Sequence, residues 1–333
     1  MSEKNHPLIS IIIPVYNAGA YLKPCLDTLI NQSLKDIEII LVIDCPTDGS
    51  DTISKEYAKN DNRIVIIENS KNQHIGQSRN IGIEVAKGEY IGFSDHDDYR
   101  EYLMYEKLYN QAKITNADIV LSDYVCSGDR NVRIKMPDNL INSDLKNTLF
   151  SNTLRGGNDD TNTPYALTVQ TNIYKAELIK KNKILFVDTN KYTPEDRIFQ
   201  IMCLFYANVV SNISEPLYYH RTYSASTGKK YHYKSIKTRA YGKLVVFDFL
   251  KQQNIYKAYE QTFLTSVKKE FVELLLNELE SHKNPIRFYK DLQFLKSFSF
   301  TKKAFNNTQY SLNSNFRIGG RFLRRTVSFL VRI

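Results

Sequence analysis

The chain has 333 residues, a net charge of +9, 24% charged and 42% hydrophobic residues, a balance that excludes wholesale disorder and a length that allows two or three folded units. It holds no uninterrupted run of about eighteen apolar residues, so no membrane-spanning helix is expected, and the short apolar run at Leu8–Pro14 does not read as a secretory leader. The four cysteines, Cys25, Cys45, Cys126 and Cys203, are scattered, which argues for reduced thiols rather than a disulfide framework or a zinc site.

Taken in chain order, Leu8–Val15 (LISIIIPV) is a β-branched run with the purity of a strand buried on both faces. Tyr21, Leu22, Cys25, Leu26, Leu29 and Ile30 follow at helical spacing. Ile37–Ile43 reads as a second strand, and the turn Pro46–Ser50 opens a helix over 51–59. Arg63–Glu68 is a third strand. Gly76–Lys87 is a third helix ended by Gly88, and Glu89–Ser94 is a fourth strand running into Asp95, Asp97 and Asp98. This alternation predicts an α/β fold with a Rossmann-like, mainly parallel sheet flanked by helices. Further on, a helix is expected over 101–116, a strand over 118–123, sheet again over 167–174 and a helix over 175–183. The polar stretch 127–163 reads as a long insertion beside the crevice. Thr193-Pro-Glu-Asp-Arg197 opens another helix, with Pro194 and two acids suited to a helix start. Asp98 reads as no more than a helix-start residue.

From about residue 226 the pattern turns helical and basic: residues 221–333 carry 22 Lys+Arg against 7 Asp+Glu. Phe263, Val267, Phe271, Leu274, Leu275 and Leu279 form an apolar stripe, expected to pack on the main domain. The segment 315–333 carries five arginines, no acid, and apolar residues between them. That mixture suits a helix lying in an anionic membrane interface. Expected boundaries are 1–105 and 106–225 for two halves of the α/β domain, and 226–333 for a helical C-terminal extension.

Four segments fall at the carboxyl ends of predicted strands, where open α/β sheets expose their ligand crevice: Pro14–Asn17, Asp44–Ser50, His74–Asn80 and Asp95–Asp98. Clustered carboxylates there are hard oxygen donors, suited to Mg²⁺ or Mn²⁺ holding a diphosphate. In this order and spacing the segments ISIIIPVYNAGAYLKPCLDTLINQSLKDIEIILVIDCPTDGSD and GQSRNIGIEVAKGEYIGFSDHDD resemble the family-2 glycosyltransferases of bacterial surface-glycan type, whose catalytic domain adopts the GT-A fold. The resemblance continues more thinly through TNIYKAEL and TPEDRIF to about residue 222 and says nothing about the last hundred residues.

The resemblance implies roles for particular residues. Pro14, Val15, Tyr16, Asn17 and Asp44 would hold the nucleotide base, usually uracil, and Arg79 would line the nucleotide site. Asp95 would contact ribose or metal, with His96 beside it, and Asp97 would be the principal ligand of Mn²⁺ or Mg²⁺. Asp196 would be the general base of an inverting transfer, with Glu195 its neighbour, and His220 and Arg221 are candidates for the diphosphate or metal. Cys45-Pro46 and His96 depart from the family's usual small residues without removing a needed carboxylate. The implied activity is hexosyl or N-acetylhexosaminyl transfer from a UDP-sugar to a hydroxyl of a glycan or lipid-linked acceptor. The expected location is cytoplasmic, peripheral at the inner face of the cell membrane. The basic, aromatic stretch Lys229–Lys234 admits a nucleic-acid-binding module, and a catalytically inactive scaffold is the other alternative. Retention of Asp44, Asp95, Asp97 and Asp196 together argues against the inactive scaffold.

Overall fold

The computed structural model describes residues 6–128, 131–136, 143–156, 168–222, 236–282 and 285–306. They belong to two compact units. The first is drawn from Met1–Thr153, Gly157–Asn190 and Glu195–Lys230, the second from Leu154–Gly156, Lys191–Pro194 and Tyr231–Ile333.

The first unit is built on a sheet of nine strands: β1 (Ile9–Val15), β2 (Ile37–Ile43), β3 (Ile64–Glu68), β4 (Tyr90–Phe93), β5 (Tyr99–Arg100), β6 (Ile119–Ser127), β7 (Val132–Ile134), β8 (Asn172–Lys175) and β9 (Val210–Arg221). Their order is β3-β2-β1-β4-β8-β6-β9-β5, with β7 paired to β6. All seven residues of β1 and of β2 are buried, which is why both read as unbroken apolar runs rather than alternating ones. Glu38 interrupts the run, and its carboxylate accepts from the Ser10 hydroxyl and the Lys87 amide, as a buried charge requires. β3, β2, β1 and β4 are mutually parallel. β8 runs antiparallel to both β4 and β6, and β5 antiparallel to β9. The α/β class therefore stands, while the second half of the sheet is mixed. The register Val15↔Ile43 and Ile12↔Phe93 brings the carboxyl ends of β1, β2 and β4 to one edge.

The helices of this unit are α1 (Leu22–Ile30), α2 (Ser50–Asn60), α3 (His74–Val85), α4 (Met104–Thr115), α5 (Ser143–Arg155, its first eleven residues), α6 (Ala176–Lys181) and α7 (Glu195–Tyr206). α1 buries Leu22, Cys25, Leu26 and Leu29, and α7 buries Ile198, Phe199, Ile201, Cys203 and Leu204, an apolar stripe at helical period. The expected insertion over 127–163 contains β7 and α5 among its described residues.

The second unit consists of α8 (Ile236–Gln252), α9 (Tyr256–His282), α10 (Pro285–Lys296) and α11 (Ser299–Asn306). Phe263, Val267, Phe271 and Leu275 of the α9 stripe are fully buried. The ring partners of Phe263 include Phe247 of α8 at 5.9 Å and Phe300 of α11 at 5.7 Å. The stripe thus packs on its own unit's helices, α8 and α11, where packing on the main domain was expected. The side chain of Leu279, the stretch Lys229–Lys234 and the segment 315–333 lie outside the described residues. No helix among the described residues is long and apolar enough to cross a membrane.

Candidate active site

Parallel strands discharge their connections at one sheet edge, and side chains from those connections bind one another there. The β1–α1 connection is held to the β2–α2 connection by hydrogen bonds that include three from backbone amides. Thr47 N donates to Asn17 Oδ1 (2.7 Å), Ala18 N to Ser50 Oγ (3.1 Å) and Gly19 N to Asp48 Oδ2 (2.7 Å). Burial alone would raise the Asp48 pKa, but hydrogen bonds from Ser50 and Gly19 outweigh it and hold the group below its ordinary value. Asp48 is thus a brace between loops. Pro14 and Val15 are buried, whereas the Tyr16 ring stands 45% exposed beyond the end of β1. Asp44 is 2% exposed, and its Oδ1 accepts from Asn69 Nδ2 at 2.8 Å and from Gln73 N at 2.7 Å.

Arg79 projects from α3 and is 2% exposed. Its guanidinium sits 3.0 Å from Asp95 Oδ1, 3.7 Å from Glu195 Oε1, and 5.1 Å from the centre of the Phe186 ring. One cation thus joins the acidic end of β4 to the first turn of α7, two segments far apart in sequence. Phe186 is held in turn by Asn80, whose side chain donates to its carbonyl and accepts from its amide, each at 2.8 Å. Gly76 lets this strap approach α3: a Cβ there would lie 2.6 Å from the Val187 carbonyl oxygen.

The four residues Asp95–Asp98 beyond the end of β4 part company. Asp95 Oδ2 accepts from Gln170 Nε2 at 2.6 Å, so a donor occupies each of its oxygens. His96 Nδ1 lies 3.0 Å from the Pro14 carbonyl, which can only accept, so this nitrogen carries the proton and ties the end of β4 to the end of β1. Asp97 is half-buried, and its backbone oxygen accepts from Arg221 Nε at 3.0 Å. Asp98 corrects the expectation from sequence. It is fully buried between β4 and β5 rather than at a helix start, and accepts from Tyr218 Oη (2.6 Å), His220 Nδ1 (3.1 Å) and Arg221 N (2.8 Å). The hydrogen bond to Asp98 pushes the His220 pKa up to about 9 against the opposing effect of burial, so the ring is an imidazolium at neutral pH. Arg221 lies over Tyr21 and Tyr99, 5.0 and 5.4 Å from the ring centres. At the start of α7, Asp196 is half-buried and its Oδ1 accepts from Arg197 N at 2.7 Å.

Every predicted site residue thus lies in the first unit, and the chain Asp95–Arg79–Glu195 brings three of them together. Gln170, Asn69 and Phe186 were not anticipated. They lie in the short 3-10 turn before β8, after β3 and after α6, where no sequence pattern marks a side chain aimed at a carboxylate. Among the described residues, no three His, Cys, Asp or Glu side chains converge as a preformed metal cage.

The sequence profile of Glycosyl transferase family 2 matches residues 10–175. The cholesterol galactosyltransferase of Borreliella burgdorferi is 30% identical over 323 residues, covering 88% of each chain. The chain belongs to glycosyl transferase family 2. Within this family it is 36% identical over 217 residues to the uncharacterized glycosyltransferase EpsJ of Bacillus subtilis, 65% of this chain and 61% of that relative's length. The GT-A fold is shared with residues 1–349 of Staphylococcus aureus TarS, solved in complex with UDP-GlcNAc. The TM-score is 0.67 at 22% identity, covering 89% of this chain and 80% of that one.

Proposed function

We propose that this family-2 chain is an inverting, metal-dependent glycosyltransferase that moves a sugar from a UDP-sugar to a hydroxyl of a glycan or lipid-linked acceptor. The observation that carries this reading is the Asp95–Arg79–Glu195 bridge. It fixes the strand-end carboxylates, the donor side, against the start of α7, where Asp196 stands. Binding of UDP-GlcNAc by TarS supports a UDP-sugar as donor.

In this reading the exposed Tyr16 ring stacks on uracil, and the carboxylate of Asp44, oriented through Oδ1, accepts from the ring N–H. Asp95, locked by Arg79 and Gln170, accepts from the ribose hydroxyls. Asp97 is the principal ligand of Mn²⁺ or Mg²⁺, with Asp95 at most a secondary one because both of its oxygens already accept hydrogen bonds. Asp98 is excluded as a ligand by its complete burial and three donors. One or two carboxylates suffice for a cation that keeps waters and substrate phosphates in its shell, so the donor set fits. When bound, the cation neutralises charge on the leaving diphosphate. His220, its ring held through Nδ1 by Asp98, would serve the diphosphate or the metal, and Arg221 supplies a cation beside it. Asp196 takes the proton of the acceptor hydroxyl as the acceptor oxygen bonds to the anomeric carbon and the bond to UDP breaks. No enzyme nucleophile is needed. The segment 315–333 would bring the enzyme to anionic lipid at the inner face of the membrane, where a lipid-linked acceptor resides.

The test is a screen of UDP-sugars with Mn²⁺ for donor hydrolysis, followed by transfer assays of Asp97→Asn and Asp196→Asn. Loss of a general base is expected to cost about 10²–10⁴ in rate. Transfer within a few-fold of wild type for Asp196→Asn refutes the role given to it.

A further inference from the structure

We propose that the outward face of α10, extended by the first turns of α8, is a docking surface for an anionic membrane interface, separate from the segment 315–333 and independent of the catalytic reading. α10 buries Phe288, Leu292 and Leu295, which is the stripe that holds it to its unit. Its opposite face should then be polar, yet Ile286 is 68% exposed and Tyr289 is 61% exposed. At 100° per residue, Lys296, Tyr289, Gln293, Ile286, Lys290 and Phe294 share one arc of the helix. Asp291, the only acid of α10, falls outside that arc. On α8, Tyr241 is 40% exposed and meets the Phe294 ring at 5.8 Å, and Lys237 Nζ lies 5.7 Å from the same ring. The face is therefore apolar and aromatic at its centre and basic around it.

Charge selects the occupant. Residues 236–306 carry 13 Lys+Arg against 7 Asp+Glu, so a second copy of this face would bring lysines against lysines. Nucleic acid stacks on successive open ring faces, whereas Tyr241 and Phe294 meet edge to face and Tyr289 is the one ring of α10 that stands exposed. An interface of anionic headgroups accepts both components: aliphatic and tyrosine side chains enter the headgroup–acyl boundary, and lysines extend to the phosphates.

The experiment is co-sedimentation of the full chain with phosphatidylcholine vesicles, with and without phosphatidylglycerol. The comparison uses wild type, the exposed-face variants Ile286→Glu/Tyr289→Glu and Lys237→Glu/Lys290→Glu, and the tail variant Arg321→Glu/Arg324→Glu/Arg325→Glu. Binding should require phosphatidylglycerol, and each pair of face substitutions should weaken it about tenfold or more, with far-UV circular dichroism and donor hydrolysis unchanged. The tail variant should keep a phosphatidylglycerol-dependent remainder that the face substitutions abolish. Vesicle binding unchanged by both face variants overturns the proposal. So does a wild-type dimer that the face variants dissociate in light scattering, or RNA binding that they abolish while vesicle binding persists.

Discussion

Replacing Asp98 by alanine should destabilise the first unit by about 3–5 kcal/mol, while the same change at its neighbour Asp97 should cost roughly 1 kcal/mol and remove activity. The figure for Asp98 follows from what its carboxylate holds. It is 0% exposed and accepts from the hydroxyl of buried Tyr218 at 2.6 Å and from Arg221 N at 2.8 Å. Each buried donor left without an acceptor costs about 1–3 kcal/mol. His220 loses its anion as well. For a unit of this size 1 kcal/mol moves Tm by about 2–4 °C, so Asp98→Ala should melt roughly 6–20 °C below wild type. Thermal unfolding followed by circular dichroism at pH 7 measures this, and an NMR titration of His220 in the same variant should show its pKa falling from about 9 towards the ordinary 6.5. The reasoning fails if Asp98→Ala melts within a few degrees of wild type, or if Asp97→Ala is the more destabilised of the two.

Two further predictions follow from the same edge of the sheet. Gln170→Ala removes the amide that fixes Asp95 Oδ2 and should raise the donor KM about tenfold with kcat within about threefold, since a hydrogen bond to a charged group is worth about 1.5–3 kcal/mol; a fall in kcat at unchanged KM would contradict donor positioning. His220 has its folded pKa raised to about 9, so its stabilising contribution is complete below about pH 6.5 and is lost as pH rises through about 9. Wild type should therefore lose Tm over that window relative to His220→Gln, and parallel pH profiles for the two proteins would rule out this latch.

The parallel half of the fold is legible in the sequence because a strand buried on both faces must be apolar throughout. β1 and β2 are such strands, and each predicted loop after a parallel strand reaches the same edge by topology alone. The trio of carboxylates after β4 is equally plain as a motif, but its division of labour is not. Asp95, Asp97 and Asp98 are identical in chemistry and nearly adjacent in the chain. Only tertiary structure assigns Asp98 to the buried end of β9, Asp95 to Arg79 and Gln170, and Asp97 to the half-buried position between them. β9 escaped the reading because its burial alternates irregularly and includes exposed Ser214 and Glu215, so it carries neither a period-2 pattern nor an apolar run. Local pattern thus determined which elements form and where the site lies. Which carboxylate faces ligand and which faces protein was settled by hydrogen-bond donors arriving from distant segments, which no local pattern encodes.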